Sequence, residues 1–418
     1  MPGAEHGTGH RCHEPDRLAK EKLPVRNLTA AGLALIMGGL AACMADTPAR
    51  TVTSCIGDST AIVRSYPRDL VMAEVTYEVQ RSFGPSAGFL NPVSLAVNAE
   101  GQVAVADRGG SVLWLGAFDG REPVGFGRAG TGPGEFGPRM TMVFPANPNE
   151  IAVVDASESR IQRVSWNGQL VDQVESRFGA GPPIGYAWAG DLGLARFDAV
   201  LRRGEGGMGE YPPELSVVFL EQPGTTATRH LTIPQDTARG IYSSRPVVGV
   251  AVDGSGFMAG APMAGTIDMY QWDLQCRERW NDIGQVAPIT DEDRQSLLEA
   301  GFQSVPEAQR PGMVEMITSA HLLDGNYPRF GRIVMSADEV WVNDVATGSD
   351  IRDGAVPDFT FDALDSPRWS VYSRQGELVR RAVLPRGFVL HALQDGHPIG
   401  IGHAEDATPV VQLLGVPE

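Results

Sequence analysis

After Lys22 the 418-residue chain contains no lysine, so every later fixed side-chain cation is an arginine. Those arginines are scattered and form no basic stripe, and the formal net charge is −17. Nucleic-acid binders gain affinity by placing clustered cations against phosphates and releasing counterions, so the composition excludes that class. Linear catalytic motifs are missing too: there is no Gly-x-Ser-x-Gly elbow, phosphate loop, zinc-protease helix or Cys-x-x-Cys pair. Cysteine is scarce, with four residues, Cys12, Cys43, Cys55 and Cys276.

What is present begins at the amino end. Lys20, Lys22 and Arg26 precede the apolar stretch Leu28 to Leu40, which is too short to span a bilayer comfortably and has the size of an export-signal core. Leu40-Ala41-Ala42-Cys43 follows at once. It resembles the bacterial lipobox, which implies cleavage before Cys43, diacylglycerol on its thiol and attachment to a membrane through acyl chains. Met44, where Asp would favour inner-membrane retention, points to the outer membrane. Residues 1–42 are thus expected as a signal with a long charged lead and 43–71 as a lipidated tether. His6, His10, Cys12 and His13 are of zinc-ligating types, but they lie upstream of the cleavage site and are assigned no metal. With Cys12 removed and Cys43 acylated, Cys55 and Cys276 remain in an oxidising compartment as a candidate disulfide pair, with the unpaired state left open.

The rest of the chain repeats a phrase. An apolar run ending in Asp leads to a second hydrophobic run and a turn closed by Gly: Gln102 to Asp107, Val112 to Leu115 and Gly120, then Ile151 to Asp155, Ile161 to Trp166 and Gly168. Both the two Asp residues and the two turn glycines are 48 residues apart. Ala337 to Asp344 and Trp369 to Val379 repeat the same two phrases, with Gly376 on the turn. Fifty Gly and 30 Pro suit many turns, and a period of this length suggests repeated four-stranded modules in an all-β protein.

Between the first two modules a Gly-rich link, Gly127 to Gly134, ends in Phe136 and Gly137-Pro138, and Phe89 with Pro92 stands in the corresponding earlier place. Here the sequence resembles NHL-repeat and TolB-like six-bladed β-propellers, strongly over 82–172 and 327–418 and weakly between. The resemblance implies a six-bladed β-propeller over 72–418, seven blades being the alternative. Closing the ring would require Val75 to Phe83 to pair with the last strand, Val410 to Val416, since an unpaired edge is a liability. One stretch departs from the pattern: Thr290 followed by Asp291, Glu292 and Asp293 has the signature of a capped helix start, so a helical insertion is expected over about 288–325.

Asp107, with Arg108 beside it, Asp155 and Asp344 recur where strands end, and they are candidate channel-mouth residues for a metal or a cationic ligand. The plainer role of such an Asp is to accept backbone N–H bonds in the following turn. His391, His397 and His403 crowd into the last module, but Gly396 and Pro398 break the run that would align them, and no metal site is assigned. The sequence therefore points to a lipid-anchored, noncatalytic binding or scaffold propeller of the bacterial envelope. Its partner would be an envelope protein or a small-molecule ligand, with no nucleic acid and no cofactor. The alternative is a hydrolase or lyase using calcium or zinc in the channel, because propeller enzymes can draw one residue from each blade.

Overall fold

Apolar runs with period 2 and short glycine-closed turns give strands, and strands dominate the chain. The computed structural model describes residues 50–52, 62–65, 72–84, 88–176, 183–199, 202–203, 209–210, 214–220, 227–232 and 246–417, apart from 252, 304, 320–322 and 355–364. The first strands in chain order are β1 (Arg50–Val52), β2 (Ile62–Ser65), β3 (Glu74–Thr76) and β4 (Glu78–Phe83). Blade I is β5 (Pro92–Val97), β6 (Gln102–Asp107), β7 (Val112–Ala117) and β8 (Val124–Phe126). Blade II is β9 (Met140–Asn147), β10 (Glu150–Asp155), β11 (Arg160–Ser165) and β12 (Leu170–Glu175).

Blade III is built from β13 (Pro183–Trp188), β14 (Leu194–Ala199), β17 (Glu214–Phe219) and β18 (Ala227–Thr232), with a small hairpin, β15 (Arg202–Arg203) and β16 (Gly209–Glu210), between its middle strands. Blade IV is β19 (Val247–Val250), β20 (Phe257–Ala261), β21 (Thr266–Tyr270) and β22 (Cys276–Asn281). Helices α1 (Asp291–Gly301) and α2 (Arg310–Ser319) follow. Blade V then has β23 (Ile333–Met335), β24 (Glu339–Val345), a short α3 (Gly348–Arg352), β25 (Asp365–Ser373) and β26 (Leu378–Val383). Blade VI is β27 (Val389–Gln394), β28 (His397–His403) and β29 (Pro409–Gly415), completed by β4.

The innermost strands β5, β9, β13, β19, β23 and β27 each touch the next, and β27 touches β5, so six blades close a ring. Six apolar clusters fill the six blade-to-blade interfaces. Strand alternation explains why the inner strands read as unbroken apolar runs: Ile151 and Val153 pack toward blade I, while Ala152 and Val154 pack toward blade III. The repeated turn is real in the backbone as well. Gly168 and Gly376 have φ of 80° and 79°, a left-handed conformation that glycine adopts without a Cβ penalty. Their N–H groups donate to Ser165 and Ser373 carbonyls at 2.9 Å in both blades.

Ring closure follows the expected plan with one change of detail. β4 pairs antiparallel with β29, Phe83 opposite Val411 and Glu78 opposite Gly415. The expected strand is split at the buried Tyr77, and Glu74–Thr76 pairs parallel with β26 of blade V instead. The segment expected as a tether is also partly structured. β1 lies parallel on β18 of blade III, and β2 lies parallel on β22 of blade IV. Arg50, Ile62 and Glu74 begin these edge strands at intervals of 12 residues, one blade per interval. This belt covers outer edges that would otherwise be open. Strands of three or four residues are too short to display side-chain alternation, and their few side-chain contacts, such as the Arg64–Glu278 ion pair and Val75 on the blade V–VI cluster, leave no pattern in the sequence.

The insertion contains two helices that pack with α3 on a seventh apolar cluster including Leu297, Phe302, Ile317, Tyr327 and Val345. The start of α1 is capped by Thr290 as anticipated, and the cap is a full capping box: Asp293 N–H donates to Thr290 Oγ1 at 3.1 Å, and Thr290 N–H donates to Asp293 at 3.2 Å. Arg352 at the end of α3 reaches Asp293 at 3.2 Å and ties the insertion to blade V. Among the described residues, no helix is long and apolar enough to cross a membrane.

Candidate functional site

Two of the recurring carboxylates, Asp107 and Asp155, fasten the chain, and neither lines the channel. Asp107 is 1 % exposed and accepts Leu90 N–H at 3.1 Å, Asn91 N–H at 2.8 Å and Gly109 N–H at 3.1 Å. Asp155 is fully buried, accepts Gly137 and Ser157 N–H at 3.0 and 3.2 Å and meets Arg160 at 3.3 Å. Each clasps the link that feeds its blade's inner strand to the turn that follows its second strand. Arg108, next to Asp107, is exposed and acts through its backbone, its N–H donating to Asn91 O at 2.9 Å.

Asp344 differs from the other two. It accepts from Ser370 Oγ at 3.3 Å and Arg381 Nη1 at 3.2 Å, and burial raises its carboxyl above the usual range despite the arginine. Its fully buried neighbour Asn343 instead bonds the start of β25, its side-chain nitrogen donating to Ser366 O at 2.8 Å and its oxygen accepting Ser366 N–H at 3.3 Å. None of Asp107, Arg108, Asp155 or Asp344 is in the channel wall.

Cys276 is disulfide-bonded, and its partner, like Cys43 and Cys55, lies outside the described residues. Other buried polar groups serve the blade interfaces. Arg279 forms a two-pronged bond with Asp268 at 2.6 and 2.7 Å, and Tyr270 Oη donates to the same carboxylate at 3.3 Å. Arg196 holds Asp198 in the same way at 3.1 and 2.9 Å. Burial raises both carboxyls, and the paired guanidinium works against that rise.

The central channel is the concave site. It has a volume of about 640 Å³ and is bounded by residues of all six inner strands, within the size range of small-molecule sites. Val93, Met142, Ile184, Val248 and Met335 give it an apolar wall. Two basic side chains stand together in that wall. Arg332, just before β23, donates through Nη1 to Leu390 O at 2.9 Å, and His391 is the next residue on β27. Burial, reinforced by the positive charge of Arg332, pushes the His391 imidazole down to about 3, so it is neutral at ordinary pH. Glu100 and Asp253, which follow β5 and β19, also border the channel.

Of the three histidines crowded in the last module, only His391 lines the channel; His397 Nδ1 bonds Leu414 O at 3.1 Å, and His403 is exposed. Among the described residues, no three His, Cys, Asp or Glu side chains converge on a metal-sized site. Sequence reasoning missed the Arg332–His391 pair because the two come from different blades, 59 positions apart, and share no motif.

No family model matches the chain, and no curated protein matches it. Among solved structures, it is similar to a candidate exported protein of Bacteroides fragilis, with 11% identity, 86% of this chain and 100% of the other covered, and a TM-score of 0.49. It is also similar to a member of the DUF4221 family from Bacteroides vulgatus, with 10% identity, 84% and 98% covered, and a TM-score of 0.48. A third is virginiamycin B lyase from Staphylococcus aureus, with 10% identity, 81% and 100% covered, and a TM-score of 0.40. The six-bladed propeller is established by the chain's own sheets and their closure.

Proposed function

We propose that the chain is a lipid-anchored, noncatalytic binding propeller of the bacterial cell envelope and that its ligand sits in the central channel. The observation that carries this reading is the channel itself: a space of about 640 Å³ bordered by all six inner strands, its wall mainly apolar with polar groups such as Asn98, Thr141, Arg332 and His391 among them. Asp107 and Asp155, two of the three recurrent carboxylates, are engaged in clasping the inter-blade links. The anchor is supported by the order of charged lead, apolar core and Leu40-Ala41-Ala42-Cys43. The whole chain is acidic, with a net charge of −17, and stands off anionic lipid, so attachment would run through the acyl chains. The NHL-repeat or TolB-like character belongs to this proposal as well, on the Gly-rich links ending in Phe136 and the repeated turns.

The test is expression of the full chain with its own signal in a bacterial host fed labelled palmitate, followed by detergent phase separation and native mass spectrometry. The expected result is label in the wild-type protein, partition to the detergent phase and loss of both in Cys43→Ala, with a small molecule or an envelope protein retained on purification. Calcium or zinc bound one to one, and stripped together with an activity, would overturn the noncatalytic reading.

A further inference from the structure

We propose that the channel takes an organic ammonium ion with an apolar body, which enters between the first turns of the blades and rests its cationic head against Trp188 and Asp253. This rests on the channel being the ligand site, and it adds the chemistry and the orientation of the ligand.

Three observations carry it. The first is an aromatic face at one end of the channel. Trp188, the last residue of β13, borders the channel and is only partly buried. It packs on the apolar cluster between blades II and III, and its Cδ1 lies 3.6 Å from where a Cβ on Gly254 would stand, so the indole reaches the first turn of blade IV. Phe144 and Tyr186, stacked at 5.8 Å, border the channel on the same side. An accessible indole in a concave apolar site attracts a cation through its ring quadrupole, the mode by which quaternary ammonium ions are recognised.

The second is the carboxylate beside it. Asp253 precedes Gly254 in that turn and also borders the channel. Its Oδ1 accepts Ser255 N–H at 2.9 Å. Despite partial burial, the bonds from Ser255 and the charge of Arg374 hold its carboxyl below the usual range. An aromatic face and a fixed anion on adjoining blades supply both contacts that an alkylated ammonium can make, since such a head has little or no N–H to donate.

The third is the sign of the charge around the mouth. The first turn of every blade except blade II carries an exposed acidic residue: Glu100, Asp191, Asp253, Asp338 and Asp395. Blade II has Pro148-Asn149 there, and none of these turns contains a basic residue. Neighbouring turns meet around the ring, Gln394 of blade VI lying against Gly101 of blade I as Trp188 lies against Gly254. A mouth of one sign above a low-dielectric wall focuses the field, drawing cations in and turning anions away. Past the mouth, Val93, Met142, Ile184, Val248 and Met335 receive the apolar body, each buried methylene adding about fourfold in affinity. Arg332 precedes β23, at the other ends of the inner strands, where it bonds Leu390 O at 2.9 Å, and it takes no part in holding the head.

Calorimetric titration of the full chain carrying Cys43→Ser, so that neither anchor nor detergent is present, would compare decyltrimethylammonium, decanol and decanoate below their micellar concentrations. The ammonium probe is expected to bind one to one and at least tenfold more tightly than decanol, and decanoate more weakly than decanol. Asp253→Asn and Trp188→Leu should each weaken the ammonium probe by roughly threefold or more and leave decanol within twofold. Glu158→Gln removes the same charge from an exposed turn between β10 and β11, outside the channel wall, and should change nothing. Val248→Trp, which obstructs the wall, should weaken the ammonium probe and decanol alike. Should Trp188→Leu fail to fold, Asp253→Asn and the ranking of the probes still decide. Equal binding of the ammonium probe and decanol, or tightest binding of decanoate, would overturn the ammonium assignment and leave the channel as a ligand site. Binding of several ammonium ions per chain, weakened as much by Glu158→Gln as by Asp253→Asn, would mean adsorption to an acidic surface and overturn it too. Absence of binding by all three probes would overturn the channel site itself along with this proposal.

Discussion

At the scale of single residues, repetition and function separate. Asp107 and Asp155 recur because each blade must bind its incoming link to its second strand, and a carboxylate with several backbone donors does this within one side chain. Removing Asp155 leaves Gly137 and Ser157 N–H groups without that acceptor and Arg160 without its carboxylate. Asp155→Ala is therefore expected to cost about 3 kcal/mol or more in chemical denaturation, and to leave metal content unchanged by elemental analysis. A loss of bound metal in the folded variant would restore the carboxylate to a ligand role. His391 yields a prediction with a sign. Its folded-state value is about 3, well below the ordinary 6.5, so between those values the unfolded chain binds the proton and the native ring does not. Stability from this group is complete above about 6.5 and declines as the pH falls toward 3. His391→Gln cannot take up the proton, so its stability should fall less than the wild type's over that interval in urea melts. Parallel pH profiles would show that the native ring titrates normally.

At the scale of elements, legibility follows how each strand is held. Blades I, II and V announce themselves because their second strands are apolar on both faces and their turns need a left-handed glycine, as at Gly120, Gly168 and Gly376. Blade III is obscured by its own interface: Arg196 and Asp198 sit buried within β14 and interrupt the apolar run that would mark it. The belt is hidden for a different reason, since edge addition uses backbone groups and imposes little on side chains. Helix α1 was legible from its cap because a capping box is a local device. The channel pair Arg332 and His391 was not, because closure of the ring alone brings them together. The belt also bears on the cysteines. β2 places Ile62 opposite Glu278, two residues beyond the disulfide-bonded Cys276, and Cys55 precedes Ile62 by seven residues. We expect non-reducing peptide mapping to recover a single cross-linked species joining Cys55 to Cys276. Recovery of Cys276 with Cys12 or Cys43 would contradict it. Cys276→Ser should then lower the melting temperature by several degrees, reflecting the roughly 2–5 kcal/mol such links commonly contribute.

At the scale of the whole molecule, the ring makes the two ends of the chain interdependent. A row of repeats in which each unit touches only its neighbours unfolds in parts, but a closed row has no terminal unit from which to fray. Here closure depends on β4, which pairs with β29 and places Phe83, 1 % exposed, in the apolar cluster between blades VI and I. Truncating Phe83 to Ala alone is expected to cost about 3–5 kcal/mol, the usual range for a buried phenylalanine. Deleting the chain through Phe83 should do something different in kind, exposing the edge of β29 and releasing the belt from blades III, IV and V together. Scanning calorimetry distinguishes the two. Phe83→Ala should keep one transition, shifted downward, with the calorimetric enthalpy matching the van't Hoff value. The deletion should give a broad or divided transition whose van't Hoff enthalpy falls below the calorimetric one, with a tendency to associate through the open edge. A deletion variant that melted in one transition at the wild-type temperature would mean that the six apolar interfaces hold the ring without its closing strand.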